Sequence, residues 1–208
     1  MIPRGFEVTK YQPRPKPKEV FRVIFVGLLC MRKGLKYLLE AWSRLNLPKA
    51  ELLLVGTLHD ELKPLMTPYL QRPDVRHAGF VPDPVELYNS GTVFVFPSVD
   101  EGSAKVTYEA MACGLPVIVT PNAGSLARDG KDGFVVPIRS VEALMEKMLF
   151  FYEHREEAES MGAAARKFME QYAWERYEQT LLDQYRSLLQ RSRGPGDVIG
   201  DIAQPPRP

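Results

Sequence analysis

The sequence predicts an α/β fold: a Rossmann-like, doubly wound parallel sheet of about six strands with C-terminal helices. Short apolar runs recur along the chain and several end in glycine, the pattern of buried strands rather than of strands wet on one face. Helical stretches fall between most of these runs. After the last run the pattern is helical throughout. The 208 residues, 45% hydrophobic and 25% charged, suit one well-buried domain and are too few for two of ordinary size.

The first strand is expected at Phe21 to Gly27. Leu35, Leu38, Leu39, Trp42 and Leu45 then recur at helical spacing, which predicts an amphipathic helix from Gly34 to Leu45. Glu51 to Val55, closed by Gly56, is the second strand, Val75 to Phe80 the third and Val93 to Phe96 the fourth. Pro116 to Val119 and Gly133 to Val136 supply the fifth and sixth, and a short helix is placed at Pro84 to Asn89. Trp174, Tyr177, Leu181, Tyr185 and Leu188 form one stripe of a terminal helix, expected to pack against the sheet or the preceding helix for most of its length.

The ends read differently. Pro13, Pro15 and Pro17 alternate with basic residues, so residues 1–19 are expected to be an extended linker. Residues 191–208 hold too little apolar content to pack and are read as a tail, leaving 20–190 as the ordered body. A net charge of +1 gives no support for nucleic-acid binding. The longest apolar stretch, Val23 to Met31, falls well short of the roughly 20 residues that span a bilayer, and no signal peptide is visible. Cys30 and Cys113 make no disulfide framework, which points to a reducing cytoplasm. His59, His77 and His154 lack metal-ligand spacing, and no metal is expected.

The most informative stretch is Glu101-Gly102-Ser103 to Tyr108-Glu109, directly after the fourth strand. Strand, loop and helix N-terminus together make an anion site, because unpaired backbone N–H groups converge there. With Gly102 and Ser103 opening the helix, Glu101 and Glu109 stand eight positions apart. Eight residues rise about 12 Å on a helix. That suits two acceptors gripping the ends of an extended ligand such as a nucleotide sugar. A hydrolase pair sits closer, about 5 to 9.5 Å apart. The plain alternatives are a solvated loop acid for Glu101, a backbone hydrogen bond for Glu109 and an N-cap for Ser103; Ser125, in a loop on the same rim, is read equally as a phosphate ligand or a turn residue.

These residues carry a family resemblance. The run from Pro97-Ser98 to Pro116, with Glu101, seven residues and Glu109, resembles the donor-site signature of the retaining glycosyltransferases of family 4, which have the two-domain GT-B fold. Ile2-Pro3-Arg4-Gly5-Phe6 resembles that family's interdomain segment, and Gly27, Lys33 and Gly34 its first phosphate loop. Thr120 to Gly124, Asp129 to Gly133 and Tyr172 to Arg176 resemble later segments in the same order.

The resemblance implies one half of a GT-B fold, and a sugar moved from a UDP-, GDP- or ADP-sugar with retention and without cofactor or metal. It makes Glu101 a ligand of the donor sugar and Lys33 a phosphate contact that stabilises the leaving nucleotide. Gly27, Gly102 and Ser103 would admit the diphosphate to the backbone, and Glu109 would hold the ribose. Where the family commonly has Arg after its first glycine, this chain has Leu28, and Arg32 is the candidate to restore the charge. An N-terminal acceptor-binding domain or subunit is the implied partner, through which peripheral membrane association would arise, and to which the terminal helix would cross back, leaving part of its stripe exposed here. The chain alone is then expected to bind donor weakly and transfer little. A non-catalytic interaction domain, or an epimerase or phosphorylase of the same architecture, stay as alternatives.

Overall fold

A computed structural model describes residues 6–15 and 17–192. It contains a six-stranded, wholly parallel sheet in the order β3-β2-β1-β4-β5-β6. The strands are β1 (Phe21–Val26), β2 (Ala50–Val55), β3 (Val75–His77), β4 (Val93–Phe96), β5 (Val117–Val119) and β6 (Gly133–Val135). The central strands are buried along almost their whole length, which is why their sequences are unbroken apolar runs.

The helices are α1 (Leu35–Leu45), α2 (Lys63–Leu70), α3 (Val85–Asn89), α4 (Lys105–Ala112), α5 (Val141–Glu153), α6 (Arg155–Met169) and α7 (Trp174–Ser192). Helix α1 packs beside α5 and α4 beside α6, flanking the sheet. The strand order reverses between β1 and β4. In such folds ligands bind at that crevice, outside the carboxyl ends of the strands.

Several expectations need correction. The third strand stops at His77, because Gly79 turns the chain at φ +71° and Phe80 swings out to 72% exposure. The first helix begins one residue late, since Gly34 is left-handed at φ +73°. Packing also starts upstream of residue 20: Phe6, Val8 and Tyr11 are buried in the main core. Phe6 N–H bonds to Tyr172 O at 2.9 Å, and the Arg166 guanidinium donates to the carbonyls of Val8, Tyr11 and Ala112. Residues 1–5 and the tail from 193 onward lie outside the described residues.

Of the terminal helix's expected stripe, Trp174, Tyr185 and Leu188 are exposed and Tyr177 and Leu181 half-buried, and Leu182 and Leu189 beside it are exposed as well, so that much of its apolar surface is not spent on this domain. No helix among the described residues is long and apolar enough to cross a membrane.

Candidate functional site

Three loops meet at the carboxyl ends of β1, β4 and β5. The first leaves β1 at Gly27 and coils into a single turn, Met31–Lys33, before α1. The second leaves β4 at Pro97 and runs to α4. Both are locked together. Val99 N–H and the Ser98 hydroxyl donate to Arg32 O at 2.9 and 3.1 Å, and a Cβ on Gly34 would lie 1.9 Å from Pro97 O. No residue with a side chain fits at that crossing.

The third loop, after β5, supports the second. Gly124 sits at φ +59°, and a Cβ there would come within 2.5 Å of Gly102 O. Tyr108 OH donates to Gly124 O at 3.0 Å and shares a 2.9 Å hydrogen bond with Ser103 Oγ. Ser103 is therefore held by a side chain reaching back from the next helix turn.

Here the sequence reading needs correction. Gly102 and Ser103 do not open the helix: α4 begins at Lys105, with Ala104 in the cap position and no side-chain cap. Ala104 is extended and its N–H is drawn to Ala123 O at 3.2 Å, which delays the first helical turn. Glu101 thus lies in the loop, and the helical rise does not set its separation from Glu109. Ser103 is also not an N-cap by its hydroxyl, and Ser125 Oγ accepts from Ala127 N–H at 3.2 Å, the turn alternative.

The loops enclose two adjoining hollows. One, of about 260 Å³, is the more polar of the two and is lined by Gly27, Arg32, Lys33, Glu101, Ser103 and Lys105 together with apolar residues such as Phe96. The second, of about 350 Å³, is apolar: Val26, Val55, Gly56, Phe80 and Val81 line it, with Thr57. Gly27, Leu28 and Val106 belong to both. Of the expected site residues, Gly27, Arg32, Lys33, Glu101 and Ser103 come together in one place. Gly102 has open space around its Cα and carries the loop beside them.

Charges in the polar hollow are unevenly matched. Lys33 Nζ contacts Glu101 Oε1, and Arg32 Nη1 approaches the same oxygen at 3.4 Å while donating to Asp100 O at 3.0 Å. Lys105 adds a further cation at the rim. Burial, then the like charge of Arg32, pulls the Lys33 ammonium below its ordinary value, with Asp100 among the groups acting the other way. Leu28, exposed beside them, supplies no charge where the family commonly has one.

Glu109 does not line either hollow. It sits on the buried face of α4, 8% exposed, and accepts from Tyr88 OH at 2.9 Å through Oε2. Lys105 Nζ stands 3.7 Å from the other oxygen. Burial above all, then the charge of Glu109, raises the Tyr88 phenol well above its usual value, and the Tyr11 phenol is raised by the same two causes. Tyr88, Tyr108 and Tyr11 are the residues the sequence reading missed. The available signal was that buried tyrosines need a partner for the hydroxyl. Among the described residues, no group of His, Cys, Asp and Glu side chains is gathered as a metal site would need.

Residues 9–168 match the family model described as glycosyl transferases group 1. The chain belongs to that family. It is 31% identical over 186 residues to the capsular polysaccharide biosynthesis glycosyltransferase CapM of Staphylococcus aureus, covering 84% of this chain and 48% of that protein. The structure superposes on sucrose-phosphate synthase of Thermosynechococcus elongatus with a TM-score of 0.78 and 26% identity, over 92% of this chain and 53% of the other. Anabaena HepE, solved with UDP and glucose, superposes with a TM-score of 0.76 at 21% identity over 88% and 55% of the two chains, a likeness of fold. The fold is the Rossmann-like half of a GT-B glycosyltransferase, and the chain spans about half the length of these relatives.

Proposed function

We propose that these residues form the donor-binding half of a retaining glycosyltransferase that uses a nucleoside-diphosphate sugar. One observation carries the reading. At the switch point of the sheet, Arg32, Lys33, Lys105, Ser103 and Glu101 surround a polar hollow that opens onto an apolar one. A nucleotide sugar has that same division, with an anionic and hydroxyl-rich end and a flat aromatic base.

The diphosphate would lie against Lys33, Arg32 and the N-terminal end of α4, where backbone dipoles favour an anion. The base would enter the apolar hollow beside Phe80, and the sugar would meet Glu101. Glu109 lines neither hollow, so it would reach the ribose through Oε1 alone, the oxygen that Lys105 approaches at 3.7 Å. Fixed cations stabilise charge as it grows on the departing phosphate, and pre-set loops remove the cost of arranging them during the reaction. Retention follows the family resemblance: no protein nucleophile is invoked, and the leaving phosphate helps to deprotonate the acceptor. The complex of HepE with UDP and glucose supports the donor class.

The acceptor site would lie outside these 208 residues, as the half-length coverage of the relatives suggests. Weak donor binding and little transfer are then expected of these residues alone. Leu28 favours a second reading, a nucleotide-binding module without chemistry. Calorimetric titration with UDP, GDP and ADP tests the first: one nucleotide should bind saturably, and Lys33→Ala and Glu109→Ala should each weaken it. No binding by the folded chain would remove the donor-site reading.

A further inference from the structure

Lys33 and Glu101 are each other's partners. Both side chains are only 13% exposed, so little water competes for either charge. Their loops cannot drift apart, because Arg32 O is held by both Val99 N–H and the Ser98 hydroxyl, and Gly34 presses on Pro97. Arg32 reinforces the carboxylate from the rim at 3.4 Å.

The donor-site reading, on which this inference rests, gives the two side chains separate tasks: phosphate for Lys33 and sugar hydroxyls for Glu101. A nucleotide sugar replaces both halves of the pair. Phosphate oxygens substitute for the carboxylate at Lys33, while hydroxyl donors substitute for the ammonium at Glu101. A bare nucleoside diphosphate replaces only one half. It must draw Lys33 away and leave Glu101 beside a second anion with only Arg32, 3.4 Å off at the rim, to oppose its charge, and a partly buried carboxylate that loses its nearer partner is destabilised.

We propose that the Lys33–Glu101 pair is a specificity device, favouring the sugar-bearing nucleotide over the bare nucleoside diphosphate by competing with the latter for Lys33. After transfer, Glu101 loses its sugar and returns to Lys33, which hastens release of the diphosphate product. Glu101 thereby acts against product as well as for donor.

A four-protein calorimetric cycle tests this: wild type, Glu101→Gln, Lys33→Ala and the double variant. Each is titrated with whichever of UDP, GDP and ADP the wild type binds and with its hexose conjugate (UDP-glucose, GDP-mannose or ADP-glucose). Glu101→Gln should bind the bare diphosphate roughly three- to tenfold tighter and lose the preference for the conjugate. In the Lys33→Ala background the same substitution should tighten nothing, because no lysine remains to be released.

Tightening that persists without Lys33 would mean a general charge effect and would overturn the proposal. So would unchanged or weaker diphosphate binding by folded Glu101→Gln, while leaving the donor-site reading intact. Failure of the folded wild type to bind any nucleotide would overturn both. Glu101→Asp, which withdraws the carboxylate by one methylene, is the second variant and should likewise tighten the bare diphosphate and shrink the preference for the conjugate.

Discussion

The Tyr88 hydroxyl donates to Oε2 of Glu109 at 2.9 Å, joining α3 to α4 through two buried side chains. A carboxylate this enclosed needs a donor, and a phenol this enclosed needs an acceptor. With Oε2 taken, the carboxylate plane is fixed and Oε1 is the oxygen turned toward Lys105. Tyr88 is thus a positioning residue for Glu109 under the proposed reading.

Tyr88→Phe keeps the ring and deletes only that hydrogen bond. Stability should fall by about 1–3 kcal/mol, because the carboxylate stays buried with one partner fewer. Nucleotide affinity should fall about tenfold, and the preference for ribo- over 2′-deoxyribonucleotide should shrink with it. Calorimetry with UDP and 2′-deoxy-UDP, beside a thermal melt, separates the two effects. A lower melting temperature with the ribose preference intact would make Tyr88 a purely structural residue.

Gly124 supports the loop that presents Glu101 and Ser103. In Gly124→Ala the new Cβ meets Gly102 O at 2.5 Å and Ser103 Cα at 2.8 Å, both backbone atoms, at a φ of +59° that alanine disfavours. The loop must yield. A stability loss of about 1–3 kcal/mol is expected from the strained backbone, with nucleotide binding reduced more than in variants elsewhere on the rim. Urea unfolding and titration of the same sample decide it; binding at wild-type strength would show that the 101–103 loop is not shaped by Gly124.

How much of this was legible beforehand depends on the range of the interactions. The strands around Val23, Leu53, Phe94 and Ile118 were readable because burial on both faces makes a sequence apolar without a break. Gly27, Arg32, Lys33, Glu101 and Ser103 were placed at one rim because the fold fixes where strand ends lie. The late start of α4 was not legible, since it follows from Gly124 pressing on Gly102 and from Ala104 bonding across to Ala123. The Lys33–Glu101 pairing was hidden for the same reason: two loops 68 residues apart in sequence must first be stitched together. Phe6 and Tyr11 were hidden by the proline-rich segment that follows them.

Asp74 gives a pH dependence whose sign can be worked out. Burial alone would raise its carboxyl, but the hydrogen bonds and charge of Arg72, joined by Trp42 Nε1–H at 3.0 Å, outweigh it and hold the carboxyl below its ordinary value of 3.8. A depressed folded value means the stabilisation is present above the unfolded value and is lost as pH falls through the folded one. Because the group is partly open to solvent, the contribution should be no more than about 1 kcal/mol. Wild type should therefore exceed Asp74→Asn in stability from neutral pH down to about 4, with the gap closing below that. Urea titrations at stepped pH would show it, and a gap that widened on acidification would contradict the assignment.

The exposed leucines of α7 should behave unlike the buried leucines of the other helices. Leu182 and Leu189 are 49% and 58% exposed, whereas Leu38 on α1 is fully buried at 0%. Truncating a buried leucine removes its transfer energy and leaves a cavity, so Leu38→Ala should cost about 2–5 kcal/mol. Replacing an exposed leucine with glutamine leaves no cavity and keeps helix propensity, so Leu182→Gln and Leu189→Gln should each stay within about 0.5 kcal/mol of wild type. Denaturant unfolding of the three variants makes the comparison. A loss of 2 kcal/mol or more at Leu182 would mean that α7 packs onto this domain through that face after all. Equal stability would leave that face of α7 making no contribution to holding the domain together.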